Sequence, residues 1–144
     1  MPLMSKLPFG TVLLLWATLA VGQNNLGEIL NAGASRLSAE AFRQELVGRT
    51  LVGPASGFKQ LEVVYMANGR VLGIGIPSRA WLHPTEITGA WTTGDGDTIC
   101  ITMSVGTVTL PKRCQFWLKL GEEYFVSSSD SDRSMRVLRH TVQQ

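Results

Sequence analysis

"LEVVYMANGRVLGIGI", residues 61–76, decides the fold, because two alternating apolar stretches flank Asn68-Gly69. Apolar side chains at every second position follow the period of a strand, whose successive side chains point to opposite faces. Asn-Gly suits a two-residue type I′ turn, in which both central residues take positive φ. Folding there sets Ala67 opposite Arg70, Tyr65 opposite Leu72, Val63 opposite Ile74 and Leu61 opposite Ile76. The apolar members of these pairs then share one face, and Glu62, Val64, Met66, Val71, Gly73 and Gly75 form the other. Gly73 and Gly75 lie within a strand with no helix after them, which excludes a nucleotide-binding glycine loop.

Two further hairpins extend the pattern. In "WTTGDGDTIC", residues 91–100, Asp95-Gly96 lies between two strand-like runs, and a two-residue turn there puts Trp91 across from Cys100. The same stretch is no calcium loop. Counting from Asp95, Ile99 and Cys100 stand where an oxygen donor and a glycine are required. In "CQFWLKLGEEYFVSSS", residues 114–129, Gly121-Glu122 suits a type II′ turn that pairs Leu120 with Glu123, Leu118 with Phe125 and Phe116 with Ser127. Phe116, Leu118 and Phe125 share one face, while Trp117, Tyr124 and Val126 on the reverse need a cover. A hairpin centred on Thr107 sets Cys100 opposite Cys114, but also Ile101 beside Arg113 and Ile99 beside Gln115, mixing apolar and polar residues on one face. A bulge near Pro111 is expected to separate them.

Strands are expected near 49–53, 60–67, 70–76, 85–93, 97–104, 112–120, 123–129 and 133–140. The chain is therefore mainly β, an antiparallel meander of about eight strands that forms a small barrel or half-barrel. One short N-terminal helix, 39–47, precedes them in "LSAEAFRQELVG". Ser38 is its N-cap, Leu37 can staple against Phe42, Phe42 and Leu46 lie on one stripe, and Gly48 stops it. That helix is the expected cover for the reverse face. Residues 23–36 read as a flexible lead-in, and 37–144 as a single domain.

Residues 1–22 have the form of a secretory signal peptide, with Lys6, an apolar run from Leu7 to Ala20, and small residues at Ala20 and Gly22 before a cut ahead of Gln23. The run is shorter than the ~20 residues a membrane span requires. The mature chain is thus expected to be periplasmic or secreted, without membrane insertion. In an oxidising compartment the two cysteines, Cys100 and Cys114, pair as a disulfide, worth roughly 3 kcal/mol for a loop of this length, with Trp91 packed close by.

The 144 residues are 44% hydrophobic and 17% charged, with net charge +2, and this scattered charge excludes a nucleic-acid partner. Arg133, Arg136 and Arg139 read as solvated charges on the last strand. Zinc would need two ligands besides the cysteines, and His83 and His140 lie at no zinc-module spacing. No metal, cofactor or catalytic set is expected. Glu122 and Glu123 are adjacent and point apart, and neither histidine has a neighbour that marks it as a base.

Two classes of function remain. One is a monomeric binding module that takes a small apolar ligand in the barrel or an envelope protein partner, a lysozyme-inhibitor-like form included. The other is an envelope structural or stress-related interaction protein without a ligand. "IPSRAWLHPTE", residues 76–86, joins two strands through two prolines and offers Arg79, Trp81 and His83 as a candidate partner contact. The alternative for Trp81 is to fold inward and cap the barrel end.

"LVGRTLVG" after a capped helix, "YMANGRVLG", "GAWTTGDGDTIC" and a second cysteine in "RCQFWLKLGEEYF" resemble a family of small exported proteobacterial domains of unknown function. The likeness spans residues 37–128. It implies an envelope location and brings no catalytic residues. Gly89-Ala90-Trp91 is also similar to the Gly-x-Trp of lipocalins, where it opens the first strand. Here it lies mid-chain, a departure from that pattern.

Overall fold

The structure, a computed structural model, describes residues 25–55, 58–79 and 83–144. The expected signal peptide and Trp81 lie outside these residues. Eight antiparallel strands close into a barrel: β2 (Thr50–Ala55), β3 (Phe58–Tyr65), β4 (Arg70–Pro77), β5 (Thr85–Thr93), β6 (Ile99–Val105), β8 (Arg113–Leu120), β9 (Glu123–Ser127) and β10 (Leu138–Val142). Each pairs with the next as a meander, and β10 returns to β2. Two short strands join them, β1 (Ser35–Arg36) beside the lower part of β8 and β7 (Val108–Thr109) beside β6. Closure rather than a half-barrel leaves no long free edge.

Two of the expected hairpins carry one more loop residue than their dipeptides suggest. Between β3 and β4 the Met66 N–H donates to Arg70 O (2.8 Å), and the loop is Ala67-Asn68-Gly69 with only the glycine at positive φ. This is the three-residue hairpin with a left-handed glycine. The register moves by one, so Tyr65 faces Val71, Val63 faces Gly73 and Leu61 faces Gly75. A one-residue slip exchanges the two faces. Leu61, Val63, Tyr65 and Val71 point inward, whereas Leu72, Ile74 and Ile76 are on the outside, Ile74 half-exposed. The cause is volume. The interior of an eight-stranded barrel is just filled by side chains, and the Phe58 ring already occupies the space that a Cβ on Gly75 would need. Trp91 pins the loop, its backbone N–H donating to Gly69 O and its indole Nε1 to Met66 O, each at 2.8 Å.

The β5–β6 hairpin likewise turns through three residues, Asp95–Asp97, so Trp91 faces Ile101 and Thr92 faces Cys100. Gly96 and Asp97 both take positive φ. The β8–β9 hairpin has the expected pairs, with Gly121 at positive φ as a glycine-first turn requires. The last strand starts later than expected. Residues 128–137 form a connection, in which Arg133 donates to Asn31 Oδ1 (2.5 Å), while Arg139 pairs with Glu123 (2.9 Å).

Helix α2 (Ala39–Glu45) plugs the lower end. Ser38 caps it, accepting from Ala41 N–H (3.0 Å). Its fully buried Phe42 stands among Tyr65, Trp91 and Trp117, with ring centroids 5.3, 5.6 and 5.3 Å away. Burying one such ring contributes about 1.5–3 kcal/mol. Glu45 ties the helix to the wall, accepting from Lys119 Nζ (3.0 Å) and Tyr124 OH (2.9 Å). The Lys119 hydrogen bond holds the Glu45 carboxyl below the ordinary carboxylate range. The segment expected as a flexible lead-in instead holds helix α1 (Leu26–Asn31), capped by Asn25. Its Leu26 and Ile29 pack with Leu118, Phe125 and Val137 in a second core on the outside of the barrel. The β8–β9 hairpin is therefore buried on both faces, α2 covering one and α1 the other.

Candidate functional site at the open end of the barrel

With α2 in the lower end, the upper ends of β2, β3, β6 and β8 form a mouth of ≈ 300 Å³ lined by Ala55, Phe58, Leu61, Met103, Val105, Leu110, Pro111 and Arg113. Below it lies a smaller interior cavity of ≈ 110 Å³, which shares Ala55, Leu61, Met103 and Arg113 with the mouth and adds Tyr65, Gln115, Trp117 and His140. Arg113 thus stands where the two spaces meet.

Its position follows from one extra residue. The β6–β7 turn at Gly106-Thr107 pairs Ser104 with Thr109, and Leu110 N–H continues that register by donating to Met103 O (2.8 Å). Pro111 has no N–H to give, and the ladder resumes one residue out of step, with Ile101 opposite Arg113, Cys100 opposite Cys114 and Ile99 opposite Gln115. The bulge expected near Pro111 is present, and its effect is the reverse of the one expected. Had the first register continued, Arg113 would face Cys100 on the outside. The bulge aligns the two cysteines and turns Arg113 and Gln115 into the barrel.

The Cys100–Cys114 disulfide is formed, with Cα atoms 3.9 Å apart, on the outer face. Trp91, opposite Ile101, lies on the inner face among the aromatic rings and not beside the bridge. At the bottom of the cavity the Tyr65 phenol is buried, which raises its pKa, and the Arg113 charge partly offsets the rise. His140 is an inward-facing wall residue of β10. Its ring lies 5.4 Å from the Trp117 ring, and burial holds its pKa below the ordinary histidine value. A Cβ on Gly53 would come within 2.8 Å of that ring and 2.6 Å of Arg139 O, so only glycine allows β2 this close to β10. Outside this seam lies an open groove of ≈ 400 Å³ between Val52–Pro54 and Arg136–Thr141.

Arg79 and His83 are exposed on the β4–β5 connection, which the meander places at the mouth end. Neither lines the mouth. Asp97 has a structural task, its Oδ1 accepting from Ala39 N–H (3.0 Å) at the start of α2. Among the described residues no group of His, Cys, Asp or Glu is arranged to hold a metal ion. No described helix is long and apolar enough to cross a membrane. Sequence reading misses Arg113, Gln115 and His140 as site residues. The signal for the first two was the cysteine pair itself, because opposing Cys100 and Cys114 forces their neighbours onto a shared face. Comparison of the chain with protein-family models, with curated proteins and with solved structures found no match.

Proposed function

We propose that the protein is an exported, non-catalytic binding module, periplasmic or secreted, that takes a small apolar ligand at the open end of its barrel. One observation carries this reading: α2 fills one end of a closed barrel, and the other end opens as an apolar mouth of ≈ 300 Å³ continuous with an interior cavity. Ligand sites are concave, mostly apolar and supplied with a few polar groups, and ~300 Å³ is the lower end of their usual size. The signal-like residues 1–22 and the formed disulfide support export. His140 Nδ1 lies 3.3 Å from Leu138 O, and among the described residues no serine or cysteine lines the cavity as its nucleophile partner, which favours binding over catalysis. A second reading, an envelope interaction protein without a ligand, draws on the exposed Arg79 and His83 at the same end. Native mass spectrometry of the protein recovered from its own periplasm tests the first: a retained small molecule is expected, and a clean apo mass at all loadings counts against it.

A further inference from the structure

We propose that the ligand of the open end is an anionic amphiphile, a small carboxylate or sulfonate with an apolar body, and that Arg113 is its counter-ion; this rests on reading the mouth as a ligand site. The apolar body would lie against Phe58, Leu61, Met103 and Leu110. Among the described residues, no carboxylate lines either the mouth or the interior cavity, and none forms an ion pair with Arg113. Arg113 is thus a solvent-exposed cation at the rim where the two spaces meet, and among the described residues no anion faces it there. A guanidinium has a planar fork of donors that matches carboxylate or sulfonate oxygens two at a time. Gln115, two residues deeper on the same face of β8, places a second donor on that wall. A neutral or cationic body in the mouth would desolvate Arg113 without replacing its lost water contacts, which is costly. The inward turn of Arg113 is set by the bulge at Pro111 and sits beside the disulfide, so the charge is presented from a covalently braced strand pair.

Two fluorescent probes of the same frame test this on the full mature chain after its own ligand has been removed: anilinonaphthalene sulfonate and the uncharged phenylnaphthylamine. The sulfonate should bind more tightly, and its affinity should fall with added salt while that of the neutral probe holds. Arg113→Gln should weaken the sulfonate by roughly 10- to 100-fold, the range for a lost charged hydrogen bond, and leave the neutral probe within about threefold. Val105→Trp, which fills the mouth, should abolish both. If the two probes bind wild type equally, without salt dependence, the anionic assignment is wrong while the mouth remains a ligand site. If neither binds, or both survive Val105→Trp, the mouth is not the site and both readings fall. The salt series on wild type decides the charge question even if Arg113→Gln does not fold.

Discussion

At the scale of single residues, few polar side chains line the cavity, Arg113, Gln115 and His140 among them. His140 is the one with a consequence for pH. Burial holds it neutral, so in the folded barrel it binds a proton only below its ordinary range, whereas the unfolded chain takes up that proton near the ordinary value of about 6.5. Folding stability is then complete above that value and declines as pH falls through the interval down to the depressed folded pKa. The Leu138 carbonyl, 3.3 Å from Nδ1, acts the other way and only partly offsets burial, while Arg113 is the charged group that shares the cavity. Glu45, held down by Lys119, adds its own loss only at more acidic pH. Thermal melts should therefore show a falling melting temperature from about pH 7 to about pH 5. In His140→Phe, which keeps a ring against Trp117, this slope should flatten. An unchanged slope in the variant would show that the ring titrates freely in the folded state.

At the scale of elements, the barrel closes through two short ladders. One is β6 against β8, where three residue pairs are held by the bulge register and by the Cys100–Cys114 bridge at their centre. The other is β10 against β2, with two pairs and a Gln143 N–H to Thr50 O bond of 2.9 Å. Short ladders contribute few bonds, so a covalent tie at one of them matters. Replacing both cysteines with serine should cost about 2–5 kcal/mol in a denaturant series, the usual effect of removing a native disulfide from a small domain. Thiol titration of the unfolded, unreduced protein should find no free thiol. Helix α1 belongs at this scale too. Its period is too short to announce itself in "NNLGEILN", and its stability comes from docking Leu26 and Ile29 on Leu118 and Phe125 rather than from propensity.

At the scale of the whole molecule, the second seam depends on Gly53. Any side chain there meets the backbone of Arg139 and the ring of His140, so Gly53→Val should destabilise by about 1–3 kcal/mol through overpacking. Hydrogen exchange should locate the damage. Gln143 N–H and the amides of β10 should lose protection, while the β4–β5 ladder keeps it. Uniform loss across the barrel would mean that the seam does not open independently.

The sequence by itself determined the mainly β meander, the capped helix with Phe42 on its buried stripe, the glycine-first turn at Gly121 and the pairing of the two cysteines. These are local in origin: a period of two, a cap, a turn dipeptide, a sequence with two cysteines to pair. Only the tertiary structure decided which face of each strand is inside. The Asn68-Gly69 and Asp95-Gly96 turns each took one more residue than the dipeptide suggests, because the narrow interior had to hold Phe42, Tyr65, Trp91 and Trp117 and had no room for Leu72, Ile74 and Ile76 as well. The same one-residue sensitivity made the site. Whether Arg113 stands on the outer face beside Cys100 or at the mouth depends on where the ladder resumes after Pro111, and that is settled by which cross-strand partners the closed barrel brings together.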